Sequence, residues 1–173
     1  VAAARKEGEL HFYSAQTPAV IDRIVDGFKV AYPGIRVESV RGPSGPLLAR
    51  LDQERASALD GADVFVSTEI TWYTERARET RLSVPNGPNA ANWPSNFLIE
   101  KSVVIAGLEP FIIPYNKART PVAPRGYADL LRPEYQGKIG VSELAATATV
   151  AWYDWLEKTQ GPEYLGRIKA QGI

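Results

Sequence analysis

The sequence predicts an α/β fold built on a parallel sheet. Apolar runs of strand length alternate with amphipathic helical stretches in the order βαβαβα from Glu9 to Ala77. Turn or hydroxyl residues punctuate each passage between them. Single helices of this length between strands imply right-handed crossovers and parallel pairing, hence an open sheet covered on both faces.

Glu9 to Tyr13 reads as a buried strand, followed by Ser14 and by Thr17-Pro18, a capping residue with Pro at the first helical position. The next helix places Val20, Ile21, Ile24, Val25 and Phe28 on one face and stops at Pro33-Gly34. Ile35 to Val40 alternates as a second strand. Arg41-Gly-Pro-Ser-Gly-Pro46 then opens a helix with Leu47, Leu48, Leu51 and Leu59 inward, ended by Asp60-Gly61. A third strand covers Ala62 to Val66, and Ser67-Thr68-Glu69 opens a helical stretch carrying Trp72, Tyr73 and Ala77.

From Val84 to Asn96 the composition shifts to Pro, Asn, Gly and Ala, which predicts a surface loop. Further strands are expected at Val103 to Ala106, Phe111 to Ile113 and Lys138 to Val141, with helical segments near Tyr127 to Leu131, Val150 to Lys158 and Pro162 to Ala170. One clear strand in the final third is too little sheet for an independent α/β core, so the chain reads as stopping partway through a second domain.

Lys+Arg and Asp+Glu are both 20. Balanced charge gives no global attraction for a phosphate backbone or an anionic membrane, and nucleic acid is disfavoured as a partner. The chain starts at Val1 and contains no Met and no Cys, which reads as a processed or trimmed product. Without Cys there are no disulfides and no thiolate chemistry. With His11 as the only His, a conventional zinc site is not expected, and a metal would be a hard ion held by Tyr, Asp and Glu oxygens. His11 itself reads as structural, and Trp152 and Trp155 at helical spacing read as packing residues.

In open α/β sheets, ligands bind outside the carboxyl ends of the strands, where helix N-termini point free N–H groups into a crevice. Three such ends carry hydroxyls: Ser14 with Thr17, Ser44 within GPSG, and Ser67 with Thr68. A fourth, Ala145-Ala-Thr-Ala-Thr149, lies between the last strand and its helix. Each alone fits a structural helix cap as well as a ligand contact. The dinucleotide, P-loop, nucleophile-elbow and HExxH signatures are all missing.

In order along the chain, EGELHFYSAQ, FKVAYPGIRVESV, RGPSGPLLARL, GADVFVST, PYNKA, YADLLRPEYQGKIGV and ATATV resemble the extracytoplasmic solute-binding proteins of bacterial ABC importers. The likeness is to the ferric-iron-binding-like branch, which also includes phosphonate and sugar-phosphate binders. It implies a periplasmic-binding-protein-like, hinged two-domain α/β fold, with a nearly complete first domain at 1–113, lacking its return segment, and a partial second domain at 114–173.

It also implies a monomeric, non-enzymatic capture protein without a cofactor, periplasmic or extracytoplasmic with its signal peptide already removed, and working with an ABC permease in the membrane. Its ligand would be ferric iron with an anion, or a small phosphate-like or carboxylate anion, held in an interdomain cleft. Carried over by position, the ligand loops are Ser14, Ala15 and Thr17; Ser44 and Gly45; Ser67 and Thr68, with Glu69 as the candidate metal ligand; and Thr147, Ala148 and Thr149. Thr17 stands where iron binders often have His, and Ala148 stands where the family usually has Gly. The alternatives are an enzyme of this architecture using Glu69 or Asp63 as general base, and a truncated module that holds no ligand tightly.

Overall fold

Strand β1, Glu9–Ser14, is the centre of a three-stranded parallel sheet of order β2-β1-β3, with β2 at Arg36–Arg41 and β3 at Val64–Val66. Its register with β2 runs from Glu9↔Arg36 to Ser14↔Arg41, and with β3 from Phe12↔Val64 to Ser14↔Val66. This computed structural model describes residues 2–87, 89–120, 122–141 and 147–173, and not the side chain of Thr147. The chain falls into two compact units, Val1–Glu69 and Ile70–Ile173. That division is earlier than the expected boundary at 113/114, which rests on a two-domain family plan rather than on local compactness.

In the first unit a short helix, α1 (Ala2–Glu7), precedes the sheet. Helix α2 (Pro18–Ala31) follows β1 and α3 (Ser44–Ala56) follows β2. Ile21 and Val25 of α2, one turn apart, pack with Phe12 of β1, and Leu10, Val37 and Val66 close around them. Burying each large apolar side chain is worth roughly 1.5–3 kcal/mol, so these contacts fix α2 on one face of the sheet. The opposite face carries Tyr13, whose hydroxyl donates to Glu54 Oε1 of α3 at 2.9 Å. Helices therefore cover both faces, as a doubly wound sheet requires.

The apolar face of α2 is narrower than expected, since Val20 and Ile24 are exposed. In α3, Leu47 is buried, but the helix ends at Ala56 and Leu59 lies beyond it, exposed. Ala58 adopts a left-handed φ of 51° just after that end. A residue in this conformation stops the helix earlier than Asp60-Gly61.

The second unit begins with α4 (Ile70–Arg78), which buries Tyr73 and Ala77. A two-stranded antiparallel ribbon joins β4 (Leu98–Ile99) to β5 (Val103–Val104). The expected strand at Val103 to Ala106 thus shortens to two residues, and neither Phe111 to Ile113 nor Lys138 to Val141 forms a strand. An apolar run becomes a strand only beside a partner that takes up its N–H and C=O groups, and none among the described residues pairs with these two segments. Ile112 is 74% exposed, while the Phe111 ring stacks on Trp152 at 5.3 Å.

Helix α5 (Thr147–Gln160) and helix α6 (Tyr164–Ala170) build the second core around Leu156, Tyr164 and Ile168. Trp152 packs against it and donates its indole N–H to the Tyr127 hydroxyl at 3.2 Å. This is the packing role expected for Trp152; Trp155 meets the Tyr127 ring edge-on at 5.5 Å. No helix among the described residues is long and apolar enough to cross a membrane.

Candidate functional site

The parallel order brings Ser14, the loop leading to Ser44, and Ser67 to the same, C-terminal edge of the sheet. Ser14 ends β1 between its register partners Arg41 and Val66. Gly42, two residues before Ser44, donates its N–H to the Ser14 carbonyl at 3.3 Å. Ser67 directly follows β3.

The roles of these residues differ. Ser14 is fully buried, and its Oγ accepts the Gln16 N–H at 3.2 Å, a local turn that fixes the loop after β1. The Ala15 N–H donates to the Val66 carbonyl at 2.9 Å, so it extends the sheet rather than facing outward. Thr17 is exposed at the start of α2; its carbonyl accepts the Val20 and Ile21 N–H groups, and its hydroxyl makes no capping bond.

Ser44 and Gly45 open α3. Pro46 has no N–H and Leu47 donates to the Pro43 carbonyl at 3.2 Å, which leaves the Ser44 and Gly45 amides as the first-turn donors without an intrahelical partner. The N-cap residue is Pro43, which makes no side-chain capping bond, and nothing lies within 4 Å of the position a Gly45 side chain would take. The approach to that helix start is open.

On the far side of β1, Ser67 Oγ accepts the Glu69 N–H at 3.3 Å and Thr68 is exposed. Glu69 Oε1 is buried, with no hydrogen-bond partner among the described residues. A buried carboxylate oxygen left unpaired costs free energy unless a water, ion or ligand group meets it.

The sequence reading missed Arg41. It is the last residue of β2, exposed, and its Nε donates to the Gln16 carbonyl at 2.9 Å, which ties the loops after β1 and β2 together. A cation at a strand's carboxyl end, just before a Gly-Pro-Ser-Gly turn, was the available signal.

In the second unit Thr147 is the first residue of α5, Ala148 is half-buried and Thr149 is 5% exposed. The preceding residues of that motif, Ala145 and Ala146, lie outside the described residues, as does the side chain of Thr147. An open recess of about 410 Å³ in this unit is lined by Trp93, Pro94, Phe97 and Ile105 to Leu108. It presents no charged side chain and does not suit an anion.

Asp63, the other carboxylate considered for a base, accepts the His11 backbone N–H at 2.7 Å and lies just ahead of β3, away from the C-terminal edge.

The model of the bacterial extracellular solute-binding protein family matches residues 60–164. A search of curated proteins returns no significant match. Among solved structures, the apo ferric ion-binding protein A of Pasteurella haemolytica aligns with a TM-score of 0.68 at 22% identity, over 95% of this chain and 53% of that one. The periplasmic binding protein P5PA aligns at 0.65 and 19% identity, over 95% and 56%. An open form of the ferric iron-binding protein A of Mannheimia haemolytica aligns at 0.59 and 21%, over 95% and 53%.

The chain thus spans about half the length of the solved structures it matches, and they share the periplasmic-binding-protein fold with it. The matched proteins are binding proteins rather than enzymes. With its sheet order, its helix-covered faces and the matched family model, this chain belongs to the bacterial extracellular solute-binding proteins.

Proposed function

We propose that this chain is the ligand-capturing part of a periplasmic component of an ABC importer, and that it binds a small oxyanion, or ferric iron with an accompanying anion, at the C-terminal edge of the β2-β1-β3 sheet. The observation that carries this reading is the open start of α3, where the Ser44 and Gly45 amides point out of a helix terminus close to the sheet edge that Arg41 borders. Helix N-termini and guanidinium groups both favour negative charge.

Glu69 supports the iron variant, because its unpaired buried oxygen is a hard donor that a ferric ion would take. An anion accompanying the metal would then use the donors at Ser44 and Gly45. The family resemblance adds Thr147, Ala148 and Thr149 from the second domain, together with a hinge near residues 111–116 and a domain boundary at 113/114. Two domains closing on the ligand would favour the closed state by differential affinity.

Calorimetry with phosphate, citrate and ferric citrate tests the reading. The double variant Ser44→Ala, Thr147→Ala should weaken the preferred one of these at least tenfold, about 1.4 kcal/mol. Unchanged affinity in that variant would remove both hydroxyls from the site and leave the Ser44 and Gly45 amides to be tested by their own signals.

A further inference from the structure

The opposite, N-terminal end of the same strands carries a second cluster. The register sets Glu9 opposite Arg36 and His11 opposite Glu38, so these four side chains stand on one face of the sheet. His11 Nε2 lies 3.2 Å from Glu9 Oε1 and 3.9 Å from Glu38 Oε2. One donor atom from each of Glu9, His11 and Glu38 falls within 4.8 Å of the others. Ser14 is three residues further along β1, about 10 Å away at the rise of a strand.

We propose that Glu9, His11 and Glu38 form a surface site for a divalent transition-metal ion of the zinc class, separate from the solute-binding edge. Imidazole nitrogen and carboxylate oxygen coordinate zinc at about 2.0–2.2 Å, which places two ligand atoms roughly 3–3.6 Å apart. The observed spacings need only small rotations of side chains that are one-third to one-half exposed.

The groups around the cluster are arranged as supports. Arg36 donates to Glu9 Oε1 at 2.6 Å and also to Glu38 Oε1, so Glu38 is held with its other oxygen towards His11. The imidazole Nε2 is hydrogen-bonded to Glu9, which turns that ring nitrogen towards the carboxylates. Asp63 holds the His11 main chain through its N–H at 2.7 Å. With His11 neutral, the two carboxylates Glu9 and Glu38 share one guanidinium, and the remaining negative charge suits a cation.

The Glu9 carboxylate, opposed by some burial, raises the His11 pKa above the usual imidazole range. The sequence alone argued against zinc because there is one His; the cross-strand register supplies the other donors.

The test titrates the chain with zinc chloride at neutral pH while following the imidazole ring signals by ¹H–¹⁵N NMR, which are unambiguous because His11 is the only His. One equivalent should shift the Nε2 signal saturably, magnesium should not displace the zinc, and His11→Gln and Glu38→Gln should each weaken calorimetric binding at least tenfold. Far-UV circular dichroism confirms that each variant is folded. Ring signals unmoved by excess zinc would overturn the proposal, and this reading needs no variant. Zinc binding that persists unweakened in both folded variants would overturn it equally. Neither result bears on anion capture at the other edge.

Discussion

Replacing Tyr13 with Phe removes one hydroxyl from the joint between β1 and α3. The hydroxyl donates to Glu54 Oε1 at 2.9 Å, and the same oxygen takes Arg50 Nε at 2.6 Å. Arg50 also lies 4.9 Å over the Tyr13 ring, a contact a Phe ring retains. Glu54 Oε2 is already buried without a partner, so the carboxylate has no spare donor to turn to. A hydrogen bond to a charged group is worth about 1.5–3 kcal/mol, and this one belongs in the middle of that range, about 2 kcal/mol.

With a urea m-value of about 2 kcal/mol/M, the unfolding midpoint followed by far-UV circular dichroism should drop by about 1 M. Burial, with the neighbouring Glu54 adding to it, raises the Tyr13 phenol pKa above its ordinary value. A raised pKa gives stability that is fully present below the unfolded phenol value near 10 and is lost as pH rises through the folded one. The difference between Tyr13→Phe and the parent should therefore hold steady up to about pH 9 and shrink above about pH 10. An unchanged midpoint at neutral pH, or a gap that widens in alkali, would refute the reasoning.

Leu156→Ala, at a side chain 2% exposed in the second core, should cost roughly 2–5 kcal/mol in chemical denaturation, and a cost below 1 would mean that this core is not closed around it. Lys101→Gly should stabilise by about 0.5–1 kcal/mol, since Lys101 sits at φ 62° in the turn between β4 and β5; a lower melting temperature would show that its side chain contributes more than the strain costs. Tyr164 donates to the Tyr127 carbonyl at 2.7 Å, and burial, with Tyr127 adding to it, pushes its phenol up to about 12. Its stabilising contribution should survive to pH 10 and be lost through about pH 12; spectrophotometric titration in which every phenol ionises together near 10 would contradict this.

The first unit was legible because its strands alternate with single helices, and parallel pairing is then the economical solution; β1, β2 and β3 lie where the pattern placed them within two residues. Helix faces were less legible. Val20 and Ile24 repeat at the right spacing, yet only Ile21 and Val25 meet Phe12, because periodicity does not say how wide a neighbouring surface is. Phe111 to Ile113 and Lys138 to Val141 failed as strands for a related reason: composition signals a preference, whereas a ladder needs a second chain segment beside it.

At the candidate site the sequence marked the hydroxyls but not their work. Ser14 and Ser67 accept local backbone N–H groups, while the proposed ligand contacts fall to the Ser44 and Gly45 amides, to the exposed Arg41 and to the buried Oε1 of Glu69. The His11 cluster was invisible to a linear reading, because Glu38 comes to His11 only through the β1–β2 register.

The central claim is that a small anion, alone or with iron, docks at the C-terminal edge of the sheet. Backbone amide NMR during titration with phosphate, citrate and ferric citrate tests it most directly, because the claim names the N–H groups that should respond. The account predicts that at least one of these ligands shifts the Ser44 and Gly45 amide signals saturably while those of Glu9 and Arg36 at the other end of the strands stay still. Saturable binding that leaves Ser44 and Gly45 unmoved would contradict it, and so would no binding of any of the three.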